Sequence, residues 1–107
     1  MDLYIDLQAK TEELDKAVKD LREFGKELAE KERDYKVTLA KACLILKAQN
    51  LAVGLIDKVC YGEDDVAEAR FERDVAEVMY KACQEEINSL KLKIRLIENQ
   101  LAREYGR

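Results

Sequence analysis

Apolar residues recur along the first half of the chain at a strict seven-residue stride: Leu7, Leu14, Leu21, Leu28, Tyr35 and Ala42. Leu3, Ala17, Val18, Phe24, Leu39, Ile45 and Leu46 flank them. A stripe at that interval marks an amphipathic helix whose buried face follows a heptad. It predicts one helix from about Asp2 to Gln49, roughly 70 Å long at the helical rise. Charged residues occupy the seam at Lys31, Glu32 and Arg33, so this stretch is expected to pack less tightly or to stay open for a partner.

The last third carries a cleaner alternation. Ala76, Tyr80, Cys83, Ile87, Leu90, Ile94, Ile97 and Leu101 follow the 4-3 spacing of a and d positions, and Val66, Ala69 and Arg73 extend the register backwards. A second apolar row, Val75, Val78, Met79, Ala82, Leu92 and Leu96, widens the face beyond one seam, as expected of a helix with more than one neighbour. Gly62 followed by Glu63, Asp64 and Asp65 marks the start of this helix, because acids cap free amides and favour the positive helix end. Gly106 reads as a left-handed cap at its end, giving a helix over about residues 64–105.

Between the two lies a stretch with little charge. Asn50 reads as a cap and the residues from about Ala52 to Tyr61 as a short helix with Leu55, Ile56 and Val59 on one side, although Gly54 costs about 1 kcal/mol in a helix interior. The segment either closes the tip of a helical hairpin or offers Leu51, Leu55, Ile56 and Val59 as a docking surface, since a tip with so few charges is hard to keep in water. The expected fold is all-α: a single domain over residues 1–107, built as a long antiparallel coiled-coil hairpin with a short helix at its tip.

Composition sharpens this. The chain has no proline, so the strongest helix breaker is missing throughout its length. It also has no histidine, which excludes Ser-His-Asp and Cys-His catalysis and imidazole metal sites. No glycine-rich phosphate loop or nucleophile elbow occurs, and the acids Asp65, Glu68 and Glu72 lack the Glu-x-x-His pairs of a di-metal bundle. They read as a solvated face. The expectation is therefore a protein with no enzymatic activity and no cofactor. Three cysteines, Cys43, Cys60 and Cys83, without a Cys-x-x-Cys pair, suit free core thiols in a reducing cytoplasm. No apolar run approaches a membrane span, and the segment Met1–Lys10 lacks the basic start and apolar core of a signal peptide. A cytoplasmic protein with no membrane partner is expected.

Charge is segregated along the chain. Residues 1–30 hold nine acids and five bases, residues 31–50 two and five, residues 57–86 ten and four, and residues 87–107 two and five. Folded back on itself, an antiparallel hairpin sets opposite signs side by side, a pattern that selects orientation and register more than it stabilises. A two-helix hairpin of this size has difficulty burying two wide apolar faces. A homodimer forming a four-helix bundle is expected, with the second apolar row at the subunit contact. Arg73 falls on a seam position and should find an acid on the Glu32–Asp34 stretch, fixing register or serving as a polar recognition point.

Three segments, Arg33-Asp-Tyr-Lys-Val-Thr-Leu-Ala-Lys41, Arg73-Asp-Val-Ala-Glu-Val-Met-Tyr80 and the ending from Glu86-Ile-Asn-Ser-Leu-Lys to Glu98-Asn-Gln-Leu-Ala-Arg-Glu-Tyr-Gly-Arg107, resemble a group of small phage and prophage proteins of Gram-positive hosts. These come from early regions that often also encode single-strand annealing proteins. The resemblance spans roughly the last three quarters of the chain and rests on helical patterns. It implies a phage protein working inside the bacterium, and it brings no assigned activity and no functional residues. Two functions compete. One is an oligomeric adaptor or inhibitor that binds a host or phage protein through the tip or the flank of the last helix. The other is a nucleic-acid accessory role for Lys91, Lys93, Arg95, Arg103 and Arg107, beside Tyr105. Against it, one tyrosine is a poor stacking platform and the hairpin should set acids opposite those bases.

Overall fold

A computed structural model describes residues 2–105, and these form a hairpin of two long helices with a short one between them: α1 (Leu3–Ala48), α2 (Val53–Cys60) and α3 (Asp64–Tyr105). There is no strand among the described residues. The helix bounds fall within a residue of those the sequence predicts. Gly106 and Arg107 lie outside the described residues, and with them the expected C-terminal cap and one of the five bases.

The ends of the helices follow from local chemistry. At the start of α1 the Asp2 carboxylate accepts the Tyr4 N–H at 2.9 Å, satisfying one of the amides a helix leaves free. At its end Asn50 adopts a left-handed conformation with φ 62°. The Asn50 N–H then bonds the Lys47 carbonyl at 3.0 Å and the Leu51 N–H bonds the Leu46 carbonyl at 3.2 Å. This is a Schellman closure, and its usual apolar contact is present because Leu51 packs against the cluster that contains Leu46. Asn50 thus caps the end of α1 and not the start of α2. The α2 helix begins after Ala52 with no side-chain cap, and its first amides bond the Ala52 carbonyl instead.

The Asn50 geometry has a measurable consequence. Asn50→Gly should be neutral or stabilising, whereas Asn50→Val should lower stability by roughly 1–2 kcal/mol, since a β-branched residue is strained at positive φ. Urea unfolding followed by circular dichroism reads both, and equal midpoints for the two variants would show that the left-handed turn is not what closes the helix.

The chain groups into two compact units: one takes in residues up to Phe24 and from Tyr80 onward, the other Gly25–Met79. In the second unit Tyr35, Ala42, Leu46, Ile56, Cys60 and Val66 form the core, with Leu39, Cys43, Leu51 and Ala69 packed against it. In the first, Ala17, Cys83, Ile87 and Leu90 are buried beneath Leu14, Val18, Leu21 and Phe24. The heptad rows and flanks read from the sequence supply most of these residues; Cys43, Leu51, Ile56 and Cys60 are the others. Ile45 is an exception: it flanks the stripe but stands 58% exposed, while its neighbour Leu46 is 7% exposed. In the first unit the Tyr4 and Tyr105 rings meet at 6.0 Å between centroids, within the range of a favourable tilted pair.

Candidate functional site

Three surfaces carry the residues singled out from the sequence. The first is the α2 tip. Ile56 and Cys60 turn into the core of the Gly25–Met79 unit, and Leu51 is half-buried against it. Ile56 is therefore a core residue before it can be a docking residue. Leu55 and Val59 remain 47% and 40% exposed, and the structure adds two neighbours the pattern had not marked, Val53 at 80% and Tyr61 at 46%. The helix is amphipathic with Ile56 and Cys60 as its inward positions. That leaves four large apolar side chains in water on and just after one short helix whose charged residues are only Asp57 and Lys58.

The second surface surrounds Arg73. Its guanidinium lies 4.6 Å from the centroid of the Tyr35 ring, in cation–π range, and bonds the carboxylate of its own neighbour Asp74 at 2.8 and 3.1 Å. The Asp74 hydrogen bond is the main reason the Arg73 pKa is raised further. The expected acid on the Glu32–Asp34 stretch is not its partner. Glu32, Arg33 and Asp34 all face solvent, and Asp34 bonds Arg33. The seam residue opposite Arg73 is the next one along, Tyr35, so an aromatic face meets the cation where a carboxylate was expected.

Beside it the charged interruption of the α1 stripe opens a groove of about 240 Å³ lined by Glu27, Lys31, Phe71, Glu72, Val75, Ala76 and Met79. Lys31 reaches Glu72 across it at 3.9 Å, the outer limit of an ion pair. The pairs Lys10–Glu13, Lys16–Asp20, Arg33–Asp34 and Arg73–Asp74 instead join residues one, three or four apart on one helix.

The third surface is the basic end of α3. Lys91, Lys93, Arg95 and Arg103 are exposed, and no ion pair engages them among the described residues. The expectation that acids of α1 neutralise them by direct contact is not met. The charge blocks complement each other in sign, but these bases occupy positions away from the seam and do not reach across it. Tyr105 meets the Tyr4 ring and is 69% exposed.

The thiols lie in both cores. Cys60 and Cys83 are buried and Cys43 is half-buried. The Cys83 thiol donates to the Ala17 carbonyl at 3.3 Å, and Cys60 to the Asp57 carbonyl at 3.5 Å. Burial raises the pKa of both above the ordinary thiol value, and in Cys60 the neighbouring Cys43 thiol adds to the rise. An acid held more tightly protonated in the folded state contributes stability that is present below its unfolded pKa and lost as pH rises past it. Stability should accordingly fall as pH climbs above about 9. Cys83→Ala should show a shallower alkaline fall than the parent when urea midpoints are compared across that range. An unchanged slope would mean the thiol does not titrate with unfolding.

Among the described residues no group of three or more His, Cys, Asp or Glu side chains is placed to hold a metal ion, and no helix is long and apolar enough to cross a membrane. Comparison with family models, with curated proteins and with solved structures returned no match.

Proposed function

We propose that this chain is a non-enzymatic, self-associating helical interaction module that binds a protein partner through the α2 tip. The phage and prophage resemblance gives its setting, a phage-encoded adaptor or inhibitor inside a bacterial cell, and the free thiols fit that setting. The observation that carries the reading is the apolar exposure of α2: Val53, Leu55, Val59 and Tyr61 all stand at least 40% exposed on and beside an eight-residue helix. Large apolar side chains clustered at a tip and rimmed by few charges are the usual mark of a docking surface.

The test separates docking from folding. Leu55→Lys with Val59→Lys should abolish capture of the partner from infected cells while leaving helical content unchanged, because both side chains point away from the core. Retained capture would sink the tip assignment. Ile56→Lys serves as a contrast, since it should lose folded structure as well.

The nucleic-acid reading is favoured by one observation, the absence of ion pairs to Lys91, Lys93, Arg95 and Arg103. Fluorescence anisotropy with labelled single-stranded DNA at about 50 and 200 mM salt decides it, because phosphate contacts lose affinity steeply over that range. No binding at the lower salt ends this reading.

A further inference from the structure

A second, exposed row of α3 repeats the heptad of the buried seam. Displacing the inner row Ala69, Arg73, Ala76, Tyr80, Cys83, Ile87, Leu90 and Ile94 by two positions gives Phe71, Val75, Val78, Ala82, Glu85, Ser89, Leu92 and Leu96. Two residues turn a helix by about 200°, so this second row follows a different face of the same helix, with Phe71 and Val75 also edging the groove beside Glu27 and Lys31. Its five large apolar members, Phe71, Val75, Val78, Leu92 and Leu96, are all at least 45% exposed. A seam with a and d spacing that stays this exposed within the chain calls for a partner outside it.

We propose that this outer row pairs α3 with α3 of a second copy, antiparallel about a two-fold axis between Ala82 and Glu85; this rests on the self-association reading above and adds its interface and register. About that axis Phe71 meets Leu96 of the second copy, Val75 meets Leu92, Val78 meets Ser89 and Ala82 meets Glu85. Every large apolar residue of the row is covered. A slip of one heptad sets Phe71 against Arg103 of the second copy, or Leu96 against Asp64. A parallel in-register pair buries Glu85 against itself. The polar Glu85 and Ser89 at the middle of the seam therefore act as register markers, as single polar residues do in other coiled coils.

Flanking charge points to the same arrangement. Of the positions beside the row, those near its start are acidic, Glu72 and Asp74, and those near its end are basic, Lys93 and Arg95; between them Lys81 falls opposite Asn88 of the second copy and Glu86 opposite Met79. The antiparallel register brings Glu72 to Lys93 of the second copy and Asp74 to Arg95, and the two-fold axis doubles each pair. Glu72 and Asp74 already touch Lys31 at 3.9 Å and Arg73 at 2.8 Å within their own chain. A carboxylate accepts several donors, so both contacts can coexist with one across the interface. Lys93 and Arg95 are among the bases that no ion pair engages within the described residues. One surface patch that complements its own copy is what a closed two-fold dimer requires.

Sedimentation equilibrium at micromolar concentration tests this, with circular dichroism to verify folding. The parent chain is expected as a dimer. Glu72→Lys with Asp74→Lys, and separately Lys93→Glu with Arg95→Glu, should each weaken dimerisation about tenfold or more, since each sets like charges across the interface. An equimolar mixture of the two double variants should recover a one-to-one dimer, and the quadruple charge swap should dimerise by itself. A monomeric parent overturns both this register and the self-association reading. A dimeric parent that neither double variant weakens overturns the α3 pairing and leaves self-association standing. Weakened variants that fail to recover on mixing overturn the antiparallel register.

Discussion

Leu46→Ala is expected to lower stability by about 2–5 kcal/mol, a large fraction of what a domain of this size possesses. Leu46 is 7% exposed and packs with Tyr35, Ala42, Ile56, Cys60 and Val66. Those residues come from all three helices, so the space left by its side chain is walled by elements that would have to move together to close it, and the cavity term stays large. Its carbonyl also accepts the Leu51 N–H in the turn that ends α1, and Leu51 packs against the same cluster. Trimming the side chain therefore loosens the apolar half of that turn too. Ile45→Ala is the matched control: it removes a side chain of similar size from a position 58% exposed and should stay within about 0.5 kcal/mol of the parent. Urea unfolding of the two variants makes the comparison, and similar losses would contradict the inward placement of Leu46.

Leu90→Ala is the corresponding change in the other unit, and a loss of about 2–5 kcal/mol is again expected. Leu90 is 5% exposed and shares its cluster with Ala17, Cys83 and Ile87. Two of these neighbours are small, and the larger Leu14, Val18, Leu21 and Phe24 packed against the cluster can fill the space only in part. Native-state hydrogen exchange should show faster exchange for amides around Ala17 and Ile87 than in the parent. Leu92→Ala is the contrast. Leu92 is 52% exposed on the outer row, so its loss leaves the cluster intact, and any destabilisation should depend on protein concentration. A concentration-independent loss equal to that of Leu90→Ala would mean that the inner and outer rows of α3 are misassigned.

The sequence made the fold legible because two signals agreed. Without proline nothing interrupts a helix, and the heptads of Leu7 to Ala42 and of Ala76 to Leu101 say which face each helix buries. Helix bounds and core membership depend on such summed, redundant cues. The readings that changed depend on a single side chain. Asn50 is a capping residue at either end of a helix, and only its positive φ shows that it closes α1. Arg73 could have reached along the chain or across it. The carboxylate of Asp74 lies one residue away and Tyr35 faces it on the seam, so it uses both and leaves Glu32 and Asp34 in solvent. The block charges were visible, but sign complementarity between helices does not specify which exposed Lys or Arg makes a contact, since each exposed pair is worth only about 0.2–1 kcal/mol. The tip was marked correctly as poor in charge, while its division into inward Ile56 and outward Leu55 and Val59 depends on how α2 is rotated after Ala52.

The thiol arrangement has a practical side. Cys60 sits in the core of one unit and Cys83 in the core of the other, both shielded, while Cys43 is only half-covered. A thiol reagent can reach a shielded sulfur only when the surrounding structure opens, so its rate of attack at Cys60 and at Cys83 times the opening of each unit separately. The chain thereby carries a native clock in each half, with no label added and no residue replaced. A partner that clamps one half should slow that clock and leave the other running.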